Sequence, residues 1–319
     1  MPTSPAHAPA PLDGVLLVDK AQGLTSHDLV AQARRRLRTR AVGHAGTLDP
    51  MATGLMVLLV GEATKLSPYL SADRKRYEAT VCLGVTTDSL DADGRYGEPV
   101  DIPDDLRADL ARADSPRLAL ALDTERARRE QVPPAVSALH VDGERAHERV
   151  RRGETLDLPP RPVLVHALTV HAVDAAAARP LVRVELDVDK GYYVRAFARD
   201  LGASLDLPAH LTTLRRLASG PFTLADAAPL AADLPLPPWL SLADAARRAM
   251  PVATLTADGV VRARQGKRLA AEHFDSPPAA IAAWLDEAGH LVAVGEPDDD
   301  PDATSPGWRV RRGFTAPVG

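Results

Sequence analysis

Asp49 is the carboxylate whose neighbours constrain it most. It sits in Gly43-His44-Ala45-Gly46-Thr47-Leu48-Asp49-Pro50-Met51-Ala52-Thr53-Gly54, a glycine-rich turn directly before the apolar run Leu55 to Val60. Gly43, Gly46 and Gly54 permit positive φ and close backbone approach, and Pro50 biases Asp49 toward an extended conformation. The apolar run reads as a buried strand that anchors the loop. An acid held in this way can serve as a nucleophile or a base. An Asp before Pro also has a plainer reading, a turn residue whose carboxylate hydrogen-bonds nearby backbone. The physics of the loop leaves both open.

Several elements must surround that loop. Gly14 to Asp19 reads as a short strand, with Lys20 at its end in a turn closed by Gly23. Thr25 and Asp28 form a capping-box pattern, after which Leu29, Val30, Ala33 and Leu37 trace a helical stripe. Gly61 to Leu70 has helical character, Tyr77 to Val85 alternates as a strand, and Asp88 to Gly94 is a polar turn. Asp101 to Gln131 is charged and alanine-rich, which predicts a helix stopped by Val132-Pro133-Pro134. Val182, Val184, Leu186 and Val188 alternate with charged residues as in a half-buried strand. Lys190-Gly191 turns that strand into a helix with the stripe Val194, Phe197 and Leu201, and Arg195 and Arg199 share one of its faces.

The chain has 319 residues, which predicts two domains. Pro-rich 233–238 and a short helix from Ser241 place a boundary near Met250 and Pro251. We therefore expect a loose tail over 1–11, a catalytic domain over 12–250 and a compact β-rich module over 251–319. Cys82, the single cysteine, reads as a buried structural thiol. The amino-terminal stretch lacks the pattern of a secretory signal, and no apolar run is long enough to span a bilayer, so a cytoplasmic setting without membrane contact is expected. The net charge of −5 conceals clusters at Arg34, Arg35, Arg36, Arg38 and Arg40, at Arg74, Lys75 and Arg76, at Arg149, Arg151 and Arg152, and at Arg215 and Arg216. Local fields decide nucleic-acid binding, although a single charge run is commonly a solvated face. The chain lacks paired cysteines, His-Glu-x-x-His, a Walker loop and a Gly-x-Gly-x-x-Gly turn, so neither a metal nor a nucleotide cofactor is expected.

Five blocks in register carry a resemblance. They are Gly14 to Lys20 with Gly23-Leu24-Thr25-Ser26; the Asp49 loop; Lys75-Arg76-Tyr77 with Asp88 to Gly94; Gln131 to Leu139; and Lys190-Gly191-Tyr192-Tyr193-Val194-Arg195 with Leu214-Arg215-Arg216. Together they resemble the TruB family of tRNA pseudouridine synthases, which isomerise uridine 55 in the TΨC arm. The departures are Ala21-Gln22 in place of a Pro after the lysine, His140 for Lys, His147 for Tyr, Asp189 where Cys is frequent, and no Phe-x-Gly before the Gln-x-Pro-Pro block.

The resemblance implies a mixed α/β (α+β) pseudouridine synthase fold on a largely antiparallel central sheet flanked by helices, with a PUA-like terminal domain. It assigns catalysis to Asp49, acting on a flipped-out uridine with no cofactor or metal. Arg195 would pair with Asp49 and favour its charged form. Tyr77 would stack on the uracil, Tyr193 would lie near the C5 proton, and Leu214 would pack on the opposite side of the base. His44 would meet neighbouring flipped nucleotides, and Lys20 would support the loop. Arg34, Arg35, Arg38, Arg74, Lys75, Arg151 and Arg215 are expected on RNA phosphates. The implied partner is the tRNA TΨC stem-loop without guide RNA, met by a monomer, with a tRNA-folding chaperone role as an addition. No second carboxylate is evident beside Asp49.

Overall fold

The computed structural model describes residues 13–71, 74–137, 140–141, 144–145, 149, 152, 154, 156, 158–298 and 306–315. The first half runs β1 (Gly14–Lys20), α1 (Ser26–Leu37), β2 (Val42–His44), β3 (Thr53–Val60), α2 (Ser67–Leu70), β4 (Arg74–Leu83), α3 (Asp104–Leu110) and α4 (Pro116–Ala127). Short strands β5 (Glu130–Gln131), β6 (His140–Val141), β7 (Glu144–Arg145) and β8 (Arg161–Pro162) follow, then β9 (Val165–Asp174), β10 (Leu181–Asp189), α5 (Val194–Ala203), β11 (Ala209–Ser219) and β12 (Phe222–Thr223). The chain ends with β13 (Trp239–Leu240), α6 (Leu242–Ala249), β14 (Val252–Thr254), α7 (Ala257–Arg264), β15 (Ala282–Leu285), β16 (Leu291–Asp298) and β17 (Gly307–Gly313).

The large sheet has the order β13-β1-β3-β11-β4-β10-β9, with β2 beside β3 and β12 beside β11. All its pairings are antiparallel except a short parallel join of β11 to β3, where Arg215 and Arg216 lie opposite Thr53 and Gly54. That join brings the start of β3, just after the Asp49 loop, against the middle of β11.

The alternation in β1 shows why the sheet is covered on both faces. Leu16 and Val18 join a core with Leu29, Val30, Ala33 and Leu37 of α1, as the helical stripe predicts. Val15 and Leu17 point the other way, into a core with Leu55, Val57 and Leu59, with Ala283, Leu285, Leu291 and Val294 of the terminal sheet, and with Phe314 just after its last strand. The terminal residues form a four-stranded sheet, β14-β15-β16-β17, with a core of their own around Trp284, Phe274 and Trp308.

Two local expectations need correction. The helix predicted from Asp101 to Gln131 is two helices, because Ser115 caps α4 by accepting from the Leu118 N–H with Pro116 just inside. Gly43 lies in β2 without a positive φ, whereas Gly46 and Gly54 have φ of 119° and 99°.

Candidate active site

The Asp49 loop is held from beneath by Lys20. This lysine is fully buried at the end of β1, and its Nζ donates to the carbonyls of Leu24 (2.7 Å), Ala21 (3.1 Å) and Pro50 (3.1 Å). The Gly23 N–H reaches the same Pro50 oxygen at 2.9 Å. Burial pushes the lysine's pKa down, and nearby Asp49 opposes that shift. On the helix side, the Ser26 hydroxyl accepts from the Leu48 N–H at 2.9 Å and donates to the Leu48 carbonyl at 3.1 Å. The residue before Asp49 and the one after it are thus both fixed.

Arg195 meets the carboxylate in a fork. Its Nε lies 2.9 Å from Oδ2 of Asp49 and its Nη2 lies 3.1 Å from Oδ1, while Nη1 donates to the Ser89 carbonyl at 3.0 Å. The same Nε is 3.6 Å from Oδ2 of Asp91, a buried acid in the polar turn after β4. Asp91 is held in turn by the Ser89 hydroxyl at 2.5 Å and the Asp93 N–H at 3.2 Å. A second carboxylate therefore does stand in the site, contrary to the sequence reading, although it shares an arginine with Asp49.

This arrangement also revises the charge balance. Burial pushes the Asp49 carboxyl above the ordinary aspartate range, Arg195 pulls it back, and Asp91 pushes it up again; the net direction is upward. Arg195 favours the anion without offsetting the loss of water. The side chain keeps 31% of its surface open, toward the cleft.

That cleft, about 360 Å³, is lined by Asp49, Lys75, Tyr77, Tyr193, Arg195 and Leu214 with neighbouring backbone. Tyr77 comes from β4, opposite Arg216 of β11, and Leu214 stands beside Ala79. Burial pushes both the Tyr77 and the Tyr193 hydroxyls up in pKa, so both rings are neutral phenols at physiological pH. His44 is absent from the lining of the cleft. It lies edge-on to His27 with ring centroids 6.0 Å apart, and burial lowers its pKa.

Arg216 belongs to the last sequence block and to a basic cluster with Arg215, where phosphate contact is the expectation. It is fully buried, donating to the carbonyls of Leu55 (2.7 Å), Gly46 (3.2 Å) and Thr47 (3.3 Å), with its guanidinium against the Tyr77 hydroxyl. One side chain thus fixes both the glycine-rich loop and Tyr77. The signal was available, because Leu214 and Arg216 are two apart on one strand and face the same side.

The basic residues expected on RNA divide into three groups. Arg35 and Arg38 are exposed on and just after α1, and Lys75 lines the cleft with its Nζ 3.3 Å from the Ser71 carbonyl. Arg34 donates to the Val42 carbonyl, Arg74 pairs with Asp187, and Arg215 pairs with Asp19. Arg151, His140 and His147 lie outside the residues whose side chains are described. Among the described residues no cluster could hold a metal ion, and no helix is long and apolar enough to cross a membrane.

Residues 34–194 match the model of the TruB family pseudouridylate synthase N-terminal domain. The tRNA pseudouridine synthase B of Cutibacterium acnes is 42% identical over 294 residues, covering 92% of this chain and 96% of that protein. This chain belongs to the TruB family. The Thermobifida fusca relative of the same name is 42% identical over 293 residues, covering 89% and 94%. Among solved structures, a chain of an H/ACA RNP bound to a substrate RNA superposes with a TM-score of 0.66 at 20% identity, over 95% of this chain and 85% of that one. At that identity the likeness speaks for the fold, here the pseudouridine synthase fold. TruB enzymes are isomerases.

Proposed function

We infer that the chain converts uridine 55 in the tRNA TΨC arm to pseudouridine, with Asp49 as the catalytic group. The observation that carries this reading is the forked Asp49–Arg195 pair at the base of a cleft walled by Tyr77, Tyr193 and Leu214. The relatives named tRNA pseudouridine synthase B, matched over nearly the whole chain, support the substrate.

The reaction breaks the N1–C1′ bond of uridine, turns the uracil, and joins C5 to C1′; the C5 proton leaves and N1 gains one. A flipped base loses its stacking at a cost of a few kcal/mol, and stacking on an aromatic ring returns about 1–3 kcal/mol. Tyr77 would supply that ring, and Leu214 the opposite wall. The Asp49 carboxylate, ionised, would either attack the nucleotide or remove a sugar proton. Tyr193, a neutral phenol beside Arg195, would stand near the C5 proton. His44, outside the cleft lining, would meet the nucleotides next to the target.

The backbone of the stem would cross Arg35, Arg38 and Lys75, with Arg34, Arg74, Arg151 and Arg215 as further phosphate contacts. For Arg74 and Arg215 that requires sharing with Asp187 and Asp19. We divide the chain into a catalytic domain over 12–250 and a PUA-like RNA-binding domain over 251–319. We also propose that it works as a cytoplasmic monomer without guide RNA.

Mass-spectrometric detection of pseudouridine in an unmodified tRNA transcript, with purified protein alone, tests this. Wild type should convert one uridine per tRNA, and Asp49→Asn should bind tRNA and convert none. Absence of product with wild type would refute the reading. The same inactive variant in a tRNA-refolding assay would reveal a chaperone role independent of chemistry.

A further inference from the structure

Tyr193 opens α5 without a side-chain cap, and Arg195 lies in that helix's first turn. Their placement therefore needs support from elsewhere, and it comes from Gln131. This residue is 2% exposed, its Oε1 accepts from the Tyr193 N–H at 2.9 Å, and its Nε2 donates to the Tyr193 carbonyl at 3.2 Å. A single amide thus takes both polar groups of the Tyr193 backbone. Gln131 is itself seated in β5, opposite Arg161 of β8.

The chain on either side of Gln131 is tied to the same helix. Arg128 pairs with the fully buried Glu125 of α4 at 2.5 Å and lies 3.7 Å from Asp200 of α5. Arg199 of α5 donates to the Val132 carbonyl at 2.9 Å and to Asp200 at 2.8 Å. Residues 128–132 and 193–200 are thus joined at several points, and the central one is the amide on Tyr193. Tethers on both sides hold Gln131 in register with the start of α5.

We propose that Gln131 is a positioning residue for pseudouridine formation, holding the Tyr193 ring against the target uracil through two hydrogen bonds to the Tyr193 backbone. The inference rests on the function proposed above. A reacting group misplaced by about 1 Å can lose on the order of a hundredfold in rate, while phosphate contacts far from it leave RNA affinity in place.

The test is the single-turnover rate with saturating enzyme, which a fraction of unfolded protein does not change, alongside the Kd for the stem-loop. Gln131→Met keeps the length and removes both hydrogen bonds; its rate should fall on the order of tenfold to a hundredfold with Kd within about twofold. Gln131→Glu keeps the pattern only when protonated, since the acid O–H can then donate to the Tyr193 carbonyl while the other oxygen accepts the N–H. Burial raises a carboxyl's pKa, so the rate of Gln131→Glu relative to wild type should climb as pH falls. Glu125 of α4, Arg128 just after it, Arg199 and Asp200 of α5, Arg161 of β8 and the phenol of Tyr192 are the charged and titratable groups around this junction, and they are common to both proteins in that ratio.

A wild-type rate from Gln131→Met, or a ratio for Gln131→Glu that is flat in pH, would overturn the inference while leaving the proposed function intact. Loss of the proposed function would instead appear as an inactive wild type.

Discussion

Asp49 is asked to be charged in a place that resists charge. Its raised pKa means that the ionised, reactive form is lost at a higher pH than for an ordinary aspartate. The acid limb of kcat/KM should therefore lie above the usual value of about 3.9. In Asp91→Asn, with one of the acids that push Asp49 up removed, that limb should move down; a pH–rate profile of each protein checks both. The sign for stability follows from linkage. A carboxyl raised by folding contributes stability that is full below its unfolded pKa and lost as pH rises through the folded one. Asp49→Asn should thus abolish isomerisation while the thermal midpoint at pH 7 stays level or rises, and a clear drop in a melting scan would contradict this. The Asp49, Tyr77, Tyr193 and Arg195 set was legible because each lies in a short recognisable block. Asp91 lies in a block as well, but as one of three acids in the turn Asp88 to Gly94 it reads as an ordinary turn residue, and only the fold singles it out by bringing it to Arg195.

The loop depends on the strands that carry it. Gly54 lies opposite Arg216 at the parallel join, with φ of 99°, and a Cβ there would come within 2.4 Å of the Arg216 carbonyl oxygen. Gly54→Ala should cost about 3 kcal/mol, from strain and overpacking together, read as a lower urea midpoint. It should also loosen the Gly46 and Thr47 carbonyls that Arg216 holds, and so reduce activity in the folded fraction. Strand and helix positions were largely readable, since the alternation in β4 and β10 and the stripe of α1 are strong periodic patterns. The join of β11 to β3 was not, because parallel neighbours come from distant segments and leave no turn signal. The division of the 101–131 segment was present in Ser115-Pro116 but was masked by alanine-rich composition.

For the whole molecule, the net charge of −5 predicts little, whereas the exposed Arg35 and Arg38 and the cleft's Lys75, proposed above as phosphate contacts, predict steep salt dependence. If RNA neutralises about four phosphate charges, log Kd for tRNA should change with log salt by a slope of about 3 to 4, and a filter-binding titration would measure it. The second core makes a separate prediction. Ending the chain at Met250 would strip Ala283, Leu285, Leu291, Val294 and Phe314 from Val15, Leu17 and the inner face of β3. Each large apolar side chain uncovered costs about 1.5–3 kcal/mol, so the truncated protein should melt lower or precipitate, as scanning fluorimetry and solubility would show. This shared core was invisible in the sequence, where 251–319 reads only as a compact β-rich module. Its consequence is metrical. Because the terminal sheet shares a core with the catalytic sheet rather than hanging on slack chain, an RNA held by both, as proposed above, would be measured as by a caliper. A stem one base pair too long or too short would then miss one jaw, with no linker flexibility to compensate.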